Sequence, residues 1–200
     1  MRKLFFAALV VLISTVCLYG QNSGHKFEAG VGYAPFFLVS VDDGQSVPYK
    51  CNAYLEWRYN FAANRVGKVF DVGAKLDYKT FPTDSYDMMA VAYYGTQHGV
   101  SLLAFADLNF NPGGKINPFI GLGLGPGVLI NNWKTTKVVY PEAITPDYPY
   151  MPTGAYSEFI FVACPRIGLE LFSHLRLSAS VDVSLADTRW PVCLNVGWVF

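Results

Sequence analysis

The sequence has few charged residues, and their signs cancel. Charged side chains make up 15% of the 200 residues, with 15 basic and 15 acidic, against about 25% in an average soluble domain. A chain without net charge has no field that would attract nucleic acid, so we expect no nucleic-acid partner. Hydrophobic residues make up 52% and aromatic residues 16%, which excludes an intrinsically disordered chain.

Cysteine is also scarce. The chain has four cysteines, none at a spacing typical of metal ligands. Cys17 belongs to an N-terminal apolar segment, and the remaining three (Cys51, Cys164 and Cys193) are an odd number that does not make a disulfide framework. All three fall in predicted strands, where a cysteine is usually a small apolar filler. We predict no metal and no other cofactor.

Residues suited to catalysis are few. The three histidines, His25, His98 and His174, lie in or beside predicted turns and loops, with no carboxylate at a spacing that would orient them. The glycines from 121 to 127 recur at every second residue, which is typical of a strand and not of a phosphate-binding loop. We therefore predict that the protein is not an enzyme.

The N-terminus has the pattern of a targeting segment. Three residues with two basic side chains precede an apolar run of 13 residues, from Leu4 to Val16, too short for a bilayer-spanning helix of about 20 residues. We predict a signal peptide over residues 1–20, cut near Gly20, and one domain over residues 21–200. A lipoprotein signal using Cys17 is the alternative, although the bulky Val16 before it argues against it. We expect no transmembrane helix in the mature chain.

The strongest pattern after residue 24 is the alternation of apolar and polar residues. From residue 175 to 185 every odd position is apolar and every even position is polar, which predicts a β-strand with one apolar face. The same pattern predicts eight strands, at residues 26–34, 51–61, 68–80, 99–110, 118–130, 157–172, 175–187 and 191–200. Each is about as long as the 9–11 residues that a tilted strand needs to cross a bilayer.

Long and short links between these strands alternate. Short links at 62–67, 111–115 and 173–174 follow the long links at 35–50, 81–98 and 131–156, so an up-and-down barrel would carry its short turns at one end. A soluble barrel would turn the apolar faces inward, and a membrane barrel would turn them outward. Small residues on the polar faces, aromatic residues near strand ends and arginines kept off the apolar faces favour the membrane barrel. We predict an all-β, eight-stranded, antiparallel up-and-down transmembrane β-barrel.

This arrangement assigns two sets of residues. The polar faces would place an ion-pair network in the lumen, formed by Lys26, Glu28, Glu56, Arg58, Asp71, Lys75, Asp77, Asp107, Arg166, Glu170, Arg176 and Asp182. The apolar faces would carry an aromatic girdle at the membrane interfaces, formed by Trp57, Tyr59, Phe61, Tyr78, Phe110 and Trp198. Because the interior of an eight-stranded barrel is just wide enough for its side chains, we expect the network to fill the lumen.

The order of these features resembles a known family. The signal peptide, the eight alternating strands, the stretch at 118–125 (PFIGLGLG) and the terminal residues 197–200 (GWVF) resemble the small OmpA-like/porin-family outer membrane β-barrels. The resemblance implies a place in the outer membrane of a Gram-negative envelope, with both chain ends in the periplasm. It implies contact with outer membrane lipid and lipopolysaccharide, and periplasmic chaperones and the barrel assembly machinery as partners. The assembly machinery would recognise Val196, Trp198 and Phe200.

Three functions follow as hypotheses. The first is a structural or adhesive envelope protein whose lumen is closed by polar side chains. The second is a small passive diffusion channel through the same lumen, and the third, from another class, is a soluble periplasmic ligand-binding barrel. The long loops at 81–98 and 131–156, rich in tyrosine, are the predicted sites for an extracellular ligand.

Overall fold

The fold is an all-antiparallel β-barrel. The computed structural model describes residues 24–37, 51–60, 70–86, 91–138, 154–184 and 190–200, which contain nine strand segments and no helix. These are β1 (His25–Phe37), β2 (Cys51–Asn60), β3 (Phe70–Tyr86), β4 (Val91–Asn109), β5 (Ile116–Val138), β6 (Gly154–Leu171), β7 (Leu175–Val181), β8 (Val183–Ser184) and β9 (Pro191–Val199).

The strands close on themselves as eight staves. Each strand from β1 to β6 pairs with the next, β7 pairs with β6 and β9, and β9 pairs with β1, so no edge is left between them. β7 and β8 form one stave, since both pair with β6 and only Asp182 separates them. The registers on both sides place Asp182 opposite Cys164, and Pro165, the next residue, has no N–H to donate to the ladder. In this ring β2 lies opposite β6, and β3 lies opposite the stave of β7 and β8.

The barrel has an apolar exterior and a charged interior. Along β2 every second residue is buried, so that Tyr54, Glu56 and Arg58 point inward while Leu55 and Trp57 are exposed. The other staves alternate in the same way, and most of their large apolar side chains are exposed. Since a soluble protein does not expose such a continuous apolar surface, this exterior faces hydrocarbon. The predicted transmembrane barrel is confirmed, and the soluble ligand-binding barrel is wrong because it requires the opposite orientation.

Two short turns between strands contain residues with positive φ. In the predicted turn at 111–115, Gly113 has a φ of 80°, a value that glycine adopts without steric cost. The turn before β7 is centred on Phe172 and Ser173, which also have positive φ, and His174 N donates to Leu171 O. Two central residues with positive φ match the right-handed twist of the flanking strands.

Several strands are longer than predicted. β3 runs to Tyr86, β4 begins at Val91, β5 runs to Val138 and β6 begins at Gly154. The predicted loops at 81–98 and 131–156 are therefore wrong for residues 81–86, 91–98, 131–138 and 154–156. Backbone pairing continues between these strands after the alternation of the sequence becomes weak. The rest of both loops lies outside the described residues.

Other predictions also fall outside the described part of the chain. They are the signal peptide at 1–20 with Cys17, the girdle residue Phe61, the link at 62–67 and residues 38–50 of the first long link. Among the residues that the structure describes, no helix is long and apolar enough to cross a membrane.

The outward face of β5 offers a test of the orientation. Leu124, in the middle of residues 118–130, the part of β5 that the sequence predicts to cross the membrane, is 44% exposed. We expect Leu124→Arg to lower the free energy of unfolding in lipid vesicles by about 2–4 kcal/mol, because it places a charge at the bilayer midplane. The control is Ile116→Arg at the end of the same face, for which we expect about 0–1 kcal/mol. Equal effects in urea titrations would contradict this orientation.

Candidate functional site

The candidate site is the lumen, where the predicted polar residues come together. Of the twelve residues predicted for the lumen, all are buried except Lys26, whose side chain is 34% exposed at the short-turn end. Together with Lys79, which was not predicted, they form two groups. The arginine cluster consists of Lys26, Glu28, Glu56, Arg58, Asp71, Asp107, Arg166, Glu170 and Arg176. The lysine cluster consists of Lys75, Asp77, Lys79 and Asp182.

Arg58 connects one half of the arginine cluster. Its guanidinium lies 2.9 Å from Glu170 Oε2 and 3.1 Å from Glu28 Oε2. Glu56 and Asp71 are at 3.4 and 3.6 Å from the same guanidinium. Glu170 also accepts a hydrogen bond from Lys26 Nζ at 2.7 Å. Arg58 is fully buried, so its charge is stabilised by these carboxylates instead of water.

Arg166 and Arg176 connect the other half. Arg166 Nε donates to Asp107 Oδ1 at 2.8 Å, and its NH1 donates to Glu56 Oε2 at 2.5 Å. Arg176 NH1 donates to Glu56 Oε1 at 3.2 Å, and its NH2 donates to Asp107. Each of these two carboxylates therefore accepts hydrogen bonds from both arginines. Such charge-assisted bonds are about twice as strong as neutral ones.

The contacts of the arginine cluster cross the barrel. Glu56 lies on β2 and Arg166 on β6, which is the opposite stave. Arg58 and Glu170 connect the same two staves at a second level. Because these side chains meet across the diameter, they occupy the axis of the lumen as well as its wall.

The lysine cluster lies further toward the long-loop end. Asp77 Oδ2 is 3.2 Å from Lys75 Nζ and 3.0 Å from Lys79 Nζ, and Lys79 also pairs with Asp182. Lys79 on β3 and Asp182 on the opposite stave thus form a second bridge across the barrel. The sequence reasoning missed Lys79, although it is the next inward position after Asp77 in the alternation of β3. With it, the lumen holds six basic and seven acidic side chains among the described residues.

Neutral polar groups and an unexpected apolar patch complete the lumen. Asn52 Nδ2 donates to Asn195 Oδ1 at 2.8 Å, and Asn195 Nδ2 donates to Ser180 Oγ at 3.1 Å. Leu103, Leu129, Ile160, Val162 and Cys164 form a buried apolar cluster on the inner side of β4, β5 and β6. The interior is therefore not purely polar. Leu103, at an otherwise polar position of its strand, is the sequence signal of this patch.

Three buried acceptor oxygens in the lumen have neither a hydrogen-bond donor nor an ion-pair partner among the described residues. They are Asp77 Oδ1, Asp182 Oδ1 and Asn52 Oδ1. The first two belong to the lysine cluster, and Asn52 is paired with Lys79 in the β2–β3 ladder. An unpaired buried acceptor is costly, so this level of the lumen is less completely satisfied than the arginine cluster, where Arg58 Nε is the one buried polar side-chain atom without a hydrogen bond among the described residues.

The histidines lie on the outer surface, each beside an aromatic ring. Trp57 Nε1 donates to His25 Nδ1 at 3.2 Å, and the two rings stack. His98 Nδ1 and Tyr78 OH are 2.8 Å apart, and His174 stacks on Trp198. Ser101, near His98 in sequence, is paired with the inward Asp77 and lies on the other face of β4. The hydrogen-bond partners found for these histidines are thus not carboxylates.

The predicted girdle residues and cysteines have the following positions. Trp57, Phe110 and Trp198 are exposed near the short-turn end, Tyr59 is half-buried against His25, and Tyr78 is exposed toward the other end. Phe70 and Phe172 extend the ring at the short-turn end. Cys51 is exposed, whereas Cys164 and Cys193 are buried, and all three are free thiols. Within the described ranges, no group of three or more His, Cys, Asp and Glu side chains could hold a metal ion.

The three residues predicted for assembly share one face. Val196, Trp198 and Phe200 all point outward at the end of β9. Their recognition by the assembly machinery stays a prediction.

Comparison with known proteins supports the fold. No protein-family model matches the chain, and no curated protein matches it. Among solved structures, Ail, the attachment invasion locus protein of Yersinia pestis, matches with a TM-score of 0.50 and 15% identity over 88% of this chain and 99% of Ail. Neisserial surface protein A matches with a TM-score of 0.48 and 12% identity, over 88% and 96% of the two chains. For the outer membrane enzyme PagL the values are 0.47 and 14%, over 88% and 98%.

The likeness to Ail, together with the closed ring of eight staves, defines the class of fold. The chain has the fold of the small eight-stranded outer membrane β-barrels.

Because Arg166 pairs with both Glu56 and Asp107, its replacement leads to a prediction about stability. Arg166→Met keeps much of the side-chain volume but removes one arginine from both Glu56 and Asp107. We expect a loss of about 3–5 kcal/mol in the free energy of unfolding, because a buried carboxylate is left poorly paired. The control is Lys26→Met, whose partner Glu170 keeps Arg58; for this partly exposed pair we expect about 0–1 kcal/mol. A similar loss in both variants would contradict the network.

Proposed function

We propose that the protein is an integral outer membrane barrel with a structural or adhesive role in the envelope, a lumen closed by polar side chains and no catalytic activity. The observation that carries this proposal is the set of ion pairs across the barrel axis, between Glu56 and Arg166 and between Arg58 and Glu170.

Closure follows from the cost of separating these pairs. An ion that passes along the axis must displace side chains that meet from opposite staves. Removing one partner of a buried pair costs about 3–5 kcal/mol, since the other charge is left in a medium of low dielectric constant. In the arginine cluster several pairs share their carboxylates, so displacing one arginine disturbs the partners of the next.

The apolar exterior supports a place in a membrane. Closed barrels satisfy all their backbone hydrogen bonds between strands, which allows them to span hydrocarbon. The fold likeness to outer membrane barrels supports the outer membrane in particular. There the partners would be outer membrane lipid and lipopolysaccharide, and during biogenesis periplasmic chaperones and the barrel assembly machinery.

The long strands support a role outside the membrane. β3, β4 and β5 continue past the level of Thr80, where the pairing between β2 and β3 ends. The sheet that they form at residues 81–86, 91–98 and 131–138 would stand above the lipid as a surface for an extracellular ligand.

A passive channel is the second candidate. The observation that favours it is the group of unpaired acceptor oxygens at Asp77, Asp182 and Asn52, which water would satisfy if it entered the outer half of the lumen. In this alternative the arginine cluster would have to open for ions to pass.

Single-channel recording separates the two candidates. We expect the purified barrel, reconstituted in a planar bilayer, to give no steady open events, because the arginine cluster fills the axis. Steady openings whose ion selectivity changes in Asp182→Asn would contradict the closed lumen and support the channel. The folded state is verified in each sample by the mobility shift of an unheated gel.

An epitope scan tests the orientation in the cell envelope. We expect an epitope placed between Tyr86 and Val91 to bind antibody on intact cells, because the projecting sheet would lie outside. The matched control carries the same epitope after Gly113, in the short turn between β4 and β5, and should bind antibody only after the outer membrane is opened. Recovery of the protein in the soluble periplasmic fraction, or exposure of the Gly113 epitope on intact cells, would contradict the proposal.

A further inference from the structure

One arrangement recurs three times on the inner wall: a glycine, an aromatic ring on the neighbouring strand, and a cation on the ring. The glycine and the ring are directly opposite in the ladder, in the pairs Gly30 and Tyr54, Gly73 and Phe105, and Gly168 and Phe119. We call each unit a glycine–ring–cation stack.

The rings lie close to their glycines. A Cβ added to Gly168 would be nearest to the Leu177 backbone oxygen and 2.6 Å from Phe119 Cζ, and one added to Gly73 would be nearest to the Trp57 backbone oxygen and 2.8 Å from Phe105 Cζ. At Gly30 the three atoms nearest to an added Cβ are two ring carbons and the hydroxyl oxygen of Tyr54, and the Cβ would overlap with them. Real Cβ atoms do not approach so closely, so each ring depends on the missing side chain. Aromatic residues are known to cover cross-strand glycines in this way.

Each ring also has a lumen cation over it. Arg176 Cζ lies 3.6 Å from the centroid of Phe119, and Arg166 Cζ lies 4.0 Å from that of Phe105. Lys75 Nζ lies 4.4 Å from the centroid of Tyr54. These distances are within the range of cation–π attraction, which strengthens when the cation is desolvated. The same three cations pair with carboxylates on their other sides.

We infer that the three stacks are the positioning elements that hold the lumen closed, an inference that rests on the proposed closed lumen. Each long cation is held between a ring on the wall and carboxylates toward the axis. An arginine or lysine side chain has much rotamer freedom to lose, and the ring removes the alternative positions nearest the wall. The glycines are therefore needed for closure although they touch no ion.

The stack of Gly30, Tyr54 and Lys75 allows the sharpest test, because an added Cβ at Gly30 meets only Tyr54 among its nearest atoms. We expect Gly30→Ala to lower the urea midpoint of the full-length protein in vesicles, because the displaced ring no longer holds Lys75. We expect no steady open events from this variant in a planar bilayer, because the arginine cluster still fills the axis. The matched control is Gly123→Ala, also inward, where an added Cβ would have its nearest neighbour at 3.5 Å; we expect wild-type behaviour.

A double-mutant cycle shows whether the ring is the cause. In the background of Tyr54→Leu, we expect Gly30→Ala to cause little further shift of the urea midpoint, since the ring that it displaces is gone. An equal shift in both backgrounds would overturn the inference. If Gly30→Ala alone does not fold, recovery of folded protein in the double variant supports it, and a double variant that fails while Tyr54→Leu folds overturns it.

Two further variants separate the ring from other effects. Tyr54→Phe keeps the ring but loses the hydrogen bond from Tyr54 OH to Glu28 Oε1 (2.6 Å), and we expect it to lower the urea midpoint less than Tyr54→Leu does. Phe119→Leu removes the ring beside Arg176 and should give open events, whereas Phe110→Leu on the outer surface should not. An equal drop of the urea midpoint in Tyr54→Phe and Tyr54→Leu, or no open events in Phe119→Leu, would overturn the inference. Steady openings of the wild type would refute the closed lumen, while the urea cycle would still test the stacks.

Discussion

The structure depends on the pairing of buried charges across the axis of a narrow barrel. An eight-stranded wall leaves an interior that side chains fill, and here many of these side chains carry a full charge and are buried. The pair of Glu56 and Arg166 joins opposite staves, and it requires the strands between them to keep one register. A shift of β2 by one residue would turn Glu56 toward lipid and leave Arg166 and Arg176 with Asp107 as their one shared carboxylate among the described residues. The electrostatics of the lumen and the hydrogen bonding of the wall therefore specify the same arrangement.

The hydrocarbon outside the barrel allows its interior to be charged. A soluble barrel gains stability by burying its apolar faces, but this chain exposes them, so hydrocarbon must take the place of a hydrophobic core. What remains inside cannot be held together by apolar contact alone, although Leu103 and its neighbours contribute on one wall. Polar contacts perform that role instead, and three of the cations (Lys75, Arg166 and Arg176) have an aromatic ring as well as carboxylates beside them. The lysine cluster, with its unpaired acceptors, is the less complete half.

The fold could be predicted from the sequence because a period of two divides residues between two faces without knowledge of partners. That rule places Glu56, Arg58 and Asp107 inside as soon as the orientation is chosen. It could not give the ends of the strands, since backbone pairing continues beyond the membrane where the apolar face is no longer required; the predicted loops at 81–98 and 131–156 were wrong in part for this reason. Nor could it give the partners. Which acid meets Arg166 depends on the stagger between opposite staves, which alternation does not encode.

The glycines of the wall influence the positions of the lumen cations without contacting them. In each stack the missing side chain lets a ring lie along the wall, and the ring leaves room for a guanidinium or ammonium group between itself and the carboxylates. Phe119 points inward, although an aromatic residue near the end of a strand would be expected to face lipid. Its inward position is explained by Gly168, which lies opposite it in the ladder, and by Arg176, which lies over its ring. A cross-strand pair of glycine and aromatic residue on the polar face is thus a readable signal once the register is known. It links the sequence of the wall to the position of the charges on the axis.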